Sequence, residues 1–309
     1  MTEKIDVVVA NPAGNTTILV LTDVPVSRYG KITDKLLAID YKKEYGEAFA
    51  RKDDRGRGIF TEEIYEKGIR GEQVGFILPD MEDPATGRVI PAMNMSGLEF
   101  CGNAMRAFAF YRATLSDPQL KTLQVKMSGC DDILRVDVDP EGRDAAAQMP
   151  LPRFAGRFAL YDMGVKDKAP DGILADMDGI SHLVIHDVEP SPETFASIKS
   201  FFYSPEREEG VPGDFPALGV MFIDTKRDRM TPVVYVHDVD TTYFEGSCAS
   251  GTTAAAFVEG LDLPDGVHRM TFREPAGTLY TEVTKEGGKT TGVRLNGLVE
   301  LSDVITVEI

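Results

Sequence analysis

The chain has few of the residues that build metal and disulfide sites. It contains three cysteines and four histidines among 309 residues. No two cysteines form a CxxC pair, and the histidines show no metal-ligand grouping, so the pattern does not predict a zinc site. We therefore expect a reduced, metal-free protein that works in the cytoplasm.

Long apolar runs and an excess of basic residues are also missing. Residues 1–9 hold no apolar run long enough for a signal peptide, and no stretch approaches the ~20 apolar residues of a membrane span. The formal net charge is −17, and a charge of this sign repels phosphate backbones and anionic lipids. We expect neither a nucleic-acid partner nor a membrane partner.

The composition that is present favours one large or two medium-sized domains. Hydrophobic residues make up 42% of the chain, which is enough for a full core, and 29 glycines and 18 prolines indicate many turns and strands. Short β-branched runs predict strands at 5–10, 17–21 and 73–78. Apolar spacing predicts a helix from Lys31 to Tyr41, at the start of a charged stretch that extends to about Lys67. Ser191 is placed to cap a helix over 193–202.

Two cysteines each open a run of small residues, one in each half of the chain. Cys101 begins CGNAMRAFA and Cys248 begins CASGTTAAAF, at a separation of 248 − 101 = 147 positions. Each run leads into an alanine-rich stretch that predicts a helix, to about Thr114 and Leu261 respectively. A cysteine at a helix N-terminus meets free backbone N–H groups and the positive end of the helix dipole, which favour the thiolate.

A matched pair of thiols suits one particular chemistry. One thiolate can remove a proton from a carbon while the other thiol returns a proton to the opposite face, which racemises an amino acid without a cofactor. Free amides at the two helix starts would hold the substrate carboxylate as an anion; these belong to Gly102, Asn103, Ser250, Gly251 and Thr252. The alternative, that both cysteines are small buried hydrophobic residues, suits a single cysteine better than a matched pair.

These motifs resemble the diaminopimelate epimerase superfamily of cofactor-independent racemases and epimerases. The resemblance rests on Glu99-Phe-Cys-Gly-Asn103, Cys248-Ala-Ser-Gly251, Gly14-Asn15, Gln73, His182 and Glu245. It implies an α+β fold of two pseudo-symmetric domains, each a bent β-sheet or barrel around a central helix. The domains would be 1–130 plus 296–309, and 131–295.

The resemblance also implies roles for individual residues. Cys101 and Cys248 would be the catalytic pair, with His182 and Glu245 supporting them. Asn15, Gln73 and Asn94 would contact the substrate. No cofactor is implied, the partner is a small molecule, namely the amino-acid substrate, and a homodimer is expected by analogy with family members.

Departures from the superfamily pattern bear on the substrate. Diaminopimelate epimerases hold the far end of their substrate with asparagines and a Glu-Arg pair, but here Glu245 is followed by Gly246, and Ile180 replaces an asparagine. Five segments instead resemble the histidine racemase branch, which is associated with metallophore biosynthesis; they are 11–20, 72–77, 95–104, 125–130 and 245–248. We expect histidine as substrate. The alternatives are diaminopimelate, a proline or hydroxyproline racemase, and a non-catalytic amino-acid-binding protein.

Overall fold

The computed structural model describes residues 3–49, 68–83, 86–116, 120–165, 171–177, 179–207, 211–213, 215–238 and 240–309. The chain is a mixed α+β protein with two compact units, residues 1–148 plus 296–309 (unit 1) and 149–295 (unit 2). The domain prediction divided the chain at 130/131, whereas strand pairing keeps 131–148 with unit 1. Much of the charged stretch predicted to extend to Lys67 lies outside the described residues.

Unit 1 is a sheet wrapped over a buried helix. Its strands are β1 (Lys4–Pro12), β2 (Thr17–Val20), β3 (Gln73–Glu82), β4 (Val89–Met95), β5 (Thr122–Met127), β6 (Ile133–Asp139), β7 (Asp144–Met149), β17 (Val299–Leu301) and β18 (Ile305–Glu308). Its helices are α1 (Tyr29–Leu37), α2 (Tyr41–Tyr45) and α3 (Gly102–Thr114). The pairing order from β7 to β1 runs backwards through the chain, and both β17 and β18 pair with β1.

The sheet of unit 1 places α3 in the core. The helix contacts β1, β2, β4, β5, β6 and β17. Residues 102–110 of α3 are all buried, because alanine, methionine and phenylalanine make up most of this stretch and lie on every side of the helix. On the other side of β1 to β3, α1 contributes Tyr29 to the core, where its ring stacks on Phe76 at a centroid distance of 3.7 Å. The start of α3 is thereby held by packing on all sides.

Unit 2 has a six-stranded sheet formed by β8 to β13, three further strands, β14 to β16, and a second buried helix. Its strands are β8 (Arg153–Ala159), β9 (Asp171–Met177), β10 (Ile180–His186), β11 (Ala217–Asp224), β12 (Arg229–Val236), β13 (Thr241–Phe244), β14 (Gly266–Arg273), β15 (Thr278–Glu286) and β16 (Lys289–Asn296). Its helices are α4 (Pro192–Tyr203) and α5 (Ala249–Glu259). Strands β8 to β13 pair in chain order, and α4 connects the parallel neighbours β10 and β11.

Helix α5 occupies in unit 2 the place that α3 occupies in unit 1. It contacts β9, β10, β11 and β15, and residues 251–258 are all buried. Its alanine-rich sequence lets the surrounding strands approach closely, since alanine adds little volume to the helix. Each unit therefore buries one helix that begins directly after a cysteine.

Several predicted elements differ from the observed ones in instructive ways. The helix predicted from Lys31 to Tyr41 ends at Leu37, and a separate short helix starts at Tyr41 with the Asp40 side chain as its N-cap. The predicted helix after Ser191 is confirmed, and the Ser191 side chain accepts a hydrogen bond from the Thr194 N–H at 3.1 Å. Within the described residues, no helix has the length and apolar character needed to cross a membrane.

Candidate active site

Both cysteines are the N-cap residues of the buried helices, with nearly the same backbone geometry. Cys101 has φ −134° and ψ 113°, and Cys248 has φ −128° and ψ 105°. In each case the sulfur accepts a hydrogen bond from the N–H three residues later, at 3.5 Å from Ala104 and 3.4 Å from Gly251. The two helix starts are thus built in the same way, as the matched sequence runs predicted.

Hydrogen-bond donors surround the sulfur of Cys101. The Gln73 side-chain amide and the Asn103 and Ala104 backbone N–H groups act on it, and each lowers its pKa. Gln73 is held in place because its amide also donates to Asn15 Oδ1 at 2.5 Å and to Thr17 Oγ1 at 2.8 Å. Asn15, Gln73, Cys101 and Asn103, all predicted site residues, therefore form one connected group in unit 1.

Burial overrides these donors and makes the Cys101 thiol a weak acid. Loss of solvent raises the pKa of Cys101 to about 11, and the charge of Glu99 acts in the same direction. Sequence reasoning considered the helix terminus alone, which favours the thiolate. The structure shows that the cost of placing a charge in the core is larger than that benefit.

The surroundings of Cys248 include a histidine and two carboxylates. His182 Nε2 lies 3.0 Å from Ser250 Oγ, which lies 3.6 Å from the Cys248 sulfur. Glu245 forms a side-chain hydrogen bond with the Cys248 thiol, and the Glu274 carboxylate accepts a hydrogen bond from the Cys248 N–H at 3.0 Å. The predicted partners His182 and Glu245 are therefore both in unit 2 with Cys248, and His182 reaches the sulfur through Ser250.

The protonation states in unit 2 follow from burial. Desolvation raises the pKa of Cys248 well above its ordinary value, and the charges of Glu245 and Glu274 raise it further. Burial lowers the pKa of His182 to about 3, so the imidazole is neutral at physiological pH. Because the His182 imidazole is neutral and its Nε2 lies 3.0 Å from the Ser250 hydroxyl, it orients the Ser250 side chain without adding charge to the site.

Two glycines make room for these side chains. A Cβ at Gly219 would lie 2.1 Å from His182 Nδ1, so only glycine at this position on β11 lets the imidazole pack against the strand. A Cβ at Gly251 would lie 2.2 Å from the sulfur of Met221 and 3.2 Å from that of Cys248. Glycine in the small-residue run after Cys248 is thus required by close approach to the thiol.

The helix amides predicted to bind the substrate carboxylate are not equally available. The Thr252 N–H donates to the Cys248 carbonyl at 2.8 Å inside the helix, and the Gly251 N–H donates to the Cys248 sulfur. Ser250 precedes the first intrahelical bond of α5, as Gly102 and Asn103 do in α3. Of these three amides, that of Asn103 also acts on the Cys101 sulfur, as the Gly251 amide does on the Cys248 sulfur. Binding of an anion at these amides stays a prediction.

One predicted contact residue lies with a different partner. Asn94 is on β4, where its side chain interacts with the Tyr29 hydroxyl. Its role in substrate binding stays a prediction.

Three features of the site were absent from the sequence prediction. Glu274 comes 274 − 248 = 26 residues after the cysteine that it contacts, in a Glu-Pro-Ala-Gly turn typical of a protein surface. Arg106 is fully buried, and its guanidinium donates to Asn103 Oδ1 at 3.1 Å and to the Ala145 carbonyl at 2.8 Å. The Ser128 hydroxyl donates to the Glu99 carbonyl at 2.8 Å and fixes the loop before Cys101. No local pattern predicts these contacts because, apart from the Arg106–Asn103 bond within α3, each joins residues distant in sequence.

Comparisons with known proteins agree with the predicted branch. The family model described as the histidine racemase CntK N-terminal domain matches residues 53–304. A histidine racemase of Fusobacterium nucleatum is 28% identical over 260 residues, covering 82% of this chain and 81% of the relative. A histidine racemase of Staphylococcus aureus is 25% identical over 272 residues, covering 87% of this chain and 85% of the relative.

Solved structures agree on the fold. A Bacillus anthracis phenazine biosynthesis protein of the PhzF family aligns with a TM-score of 0.57 at 13% identity, covering 99% of this chain and 100% of that one. A hydroxyproline epimerase of Agrobacterium vitis aligns with a TM-score of 0.55 at 11% identity, covering 99% of this chain and 93% of that one. At these identities the likeness establishes the fold alone.

Proposed function

Because this chain belongs to the histidine racemase family, we propose that it interconverts L- and D-histidine without a cofactor, with Cys101 and Cys248 as its acid and base. The observation that carries this proposal is the repeated cysteine cap, with the same backbone angles and the same sulfur to N–H bond in each unit. Family membership also supports a diaminopimelate epimerase-like architecture, in which each unit is a bent sheet around its cysteine-bearing helix.

The proposed reaction needs one thiolate and one thiol at the same time. The thiolate removes the α-proton of histidine, and the other thiol gives its proton to the opposite face of the carbanion, so that the two cysteines exchange protonation states in each turnover. The amides of Gly102, Asn103 and Ser250 bind the substrate carboxylate and stabilise the negative charge that grows beside it. Each of these groups sits at a buried helix N-terminus, where packing fixes its direction.

Free thiols are required for this chemistry. The three cysteines are unpaired in the structure, and either active cysteine would lose its acid/base capacity in a disulfide. We propose a reducing compartment, such as the cytoplasm, as the place where the enzyme works.

The test of this function is α-hydrogen exchange. Reduced protein would be incubated in heavy water with L-histidine, and the α-proton signal would be followed by NMR while D-histidine is measured by chiral chromatography. We expect the signal to disappear as D-histidine forms, because the proton returned to the carbon comes from a thiol that exchanges with solvent. Exchange with diaminopimelate or proline in place of histidine would contradict the proposed substrate. Binding of histidine without exchange, seen as a thermal shift, would identify a binding protein and overturn the racemase.

Racemisation should accelerate as pH rises from about 7 to about 9. Burial raises the pKa of both thiols, so the thiolate that acts as base is a minor species at neutral pH and becomes about tenfold more abundant with each pH unit. The measurement is kcat/KM for histidine against pH, corrected for the ionisations of free histidine. A profile that is flat over this range would mean that the base is already ionised at neutral pH, against the effect of burial.

A further inference from the structure

The two cysteine caps share a backbone geometry but differ in what surrounds each sulfur. At Cys101 the neighbouring polar groups are mainly donors, namely the Gln73 amide and the backbone N–H groups of Asn103 and Ala104. At Cys248 the neighbours include two carboxylates, one from Glu245 and one from Glu274. Donors favour a sulfur that carries a negative charge, whereas carboxylates favour a sulfur that keeps its proton.

Glu274 is the most deeply buried of these carboxylates and is bonded to the helix that carries Cys248. Its side chain is 6% exposed. One oxygen accepts the Cys248 N–H at 3.0 Å, and the other accepts the Thr252 hydroxyl at 2.5 Å. Two backbone hydrogen bonds fix the turn that carries Glu274. The Glu274 N–H donates to the Gly277 carbonyl at 2.8 Å, and the Ala276 N–H donates to the Gly246 carbonyl at 2.9 Å.

We infer that Glu274 is a positioning residue that keeps the proton on Cys248, so that Cys101 loses its proton first and is the base of the singly ionised enzyme. This inference rests on the proposed function, since only a two-thiol reaction gives the order of proton loss a consequence. In that ionised form the Cys101 thiolate takes the substrate proton and Cys248 donates its own. After turnover the protons have exchanged places, and they return by the reverse reaction or by exchange with solvent.

The charged groups around α5 favour this assignment. Those at its N-terminal end are Glu245 after β13 and Glu274 after β14, and His182 on β10 is neutral there because burial lowers its pKa to about 3. Two further charged neighbours in the described part of the chain lie at the far end of the helix, where Lys285 on β15 donates to the Gly260 carbonyl at 2.8 Å and His186 pairs with Glu259. Burial raises the pKa of Glu274 to about 7, so the carboxylate is charged at the higher pH at which the thiols ionise.

The corresponding buried charge at α3 has the opposite sign. The fully buried side chain that bonds the first turn there is the Arg106 guanidinium, through Asn103 Oδ1. Glu99 is the carboxylate that acts on Cys101, and it is opposed by the amide of Gln73. Both sulfurs have donors, since the Gly251 N–H donates to Cys248 and the Ser250 hydroxyl lies 3.6 Å from it. The thiols are unequal because one carboxylate acts on Cys101 and two act on Cys248.

The experiment measures the ionisation of each thiol separately. Wild-type protein would be alkylated with iodoacetamide over a range of pH, and initial rates at Cys101, Cys130 and Cys248 would be read by peptide mass spectrometry. The pH at half-maximal rate reports the thiolate of that cysteine and does not depend on how accessible it is. We expect the midpoint of Cys101 to lie below that of Cys248.

The decisive variant is Glu274→Gln. Glutamine has the same shape, and it can accept the Cys248 N–H while donating to the Thr252 hydroxyl, so the cap survives without the charge. We expect the alkylation rate of Cys248 at about pH 8 to rise about tenfold, with Cys101 unchanged. The matched control is Glu259→Gln, which removes a carboxylate from the other end of α5, about 15 Å along the helix, and should leave both midpoints in place.

The outcomes separate this inference from the proposed function. A Cys248 midpoint at or below that of Cys101 in the wild type, or an unchanged Cys248 rate in folded Glu274→Gln, would overturn the inference even if histidine is racemised. If Glu274→Gln does not fold, the alkylation rate of Cys248 would be measured in Glu245→Gln, which removes the second carboxylate. An unchanged alkylation rate in that variant would contradict the role of the carboxylates. Because alkylation needs no substrate, the order of the thiols can be confirmed whether or not α-hydrogen exchange is found.

Discussion

Replacing either Cys101 or Cys248 with serine should reduce histidine racemisation by about 10²- to 10⁴-fold. A serine hydroxyl is a much weaker acid than a thiol, so it can neither hold the negative charge of the base nor return a proton readily at neutral pH. Stability should change little, because serine is a favoured N-cap residue and its oxygen can accept the same backbone N–H that each sulfur accepts. The loss would then be chemical in origin.

The measurement is kcat for each variant in both directions, L to D and D to L, with the fold checked by circular dichroism. Cys130→Ser is the matched control, since Cys130 is the third free cysteine and its sulfur contacts only the Asp132 carbonyl, at 3.9 Å, among its described hydrogen-bond partners. It should racemise histidine at the wild-type rate. Wild-type activity in either Cys101→Ser or Cys248→Ser would rule out the two-thiol mechanism.

The second large effect is expected at Arg106, where Arg106→Met should lower the free energy of unfolding by about 3 kcal/mol or more. The guanidinium donates to the Ala145 carbonyl at 2.8 Å, to the Leu298 carbonyl at 3.4 Å and to the Gly297 carbonyl. Methionine keeps most of the volume but leaves these buried carbonyls without a donor, and each unsatisfied group costs about 1–3 kcal/mol. The returning segment from Asn296 would lose its attachment to α3.

Activity should fall together with stability in this variant. Arg106 also donates to Asn103 Oδ1 at 3.1 Å, and the Asn103 amide lies at the helix start that we propose binds the substrate carboxylate. Urea unfolding measures the loss of stability, and KM for histidine measures the loss of positioning. The control is Arg112→Met on the same helix, which breaks one partly exposed pair with Asp80 and should cost at most about 1 kcal/mol. Equal stability of the two variants would contradict a structural role for Arg106.

Sequence patterns predicted elements whose causes are local. The starts of α3 and α5 follow from a cysteine before small residues and then a run of alanines, and the start of α4 follows from Ser191 and Pro192. The bounds of β8 could not be predicted from the sequence for an equally physical reason. Most of β8 is exposed or half-buried, and a register shift between Phe154 and Gly156 interrupts its alternation, so the two-residue period of a strand is lost.

The site shows the same division between local and long-range causes. The positions of Cys101 and Cys248, and the way each caps its helix, were determined by the sequence alone, because capping depends on the few residues that follow. The acidity of the two thiols was decided only by the tertiary structure. Burial reverses the preference that the helix termini give, and the charge of Glu274 and the amide of Gln73 act on the sulfurs from other elements of the fold. A thiol's pKa depends on every charge and donor within a few ångströms, and folding alone brings those groups together from distant parts of the chain.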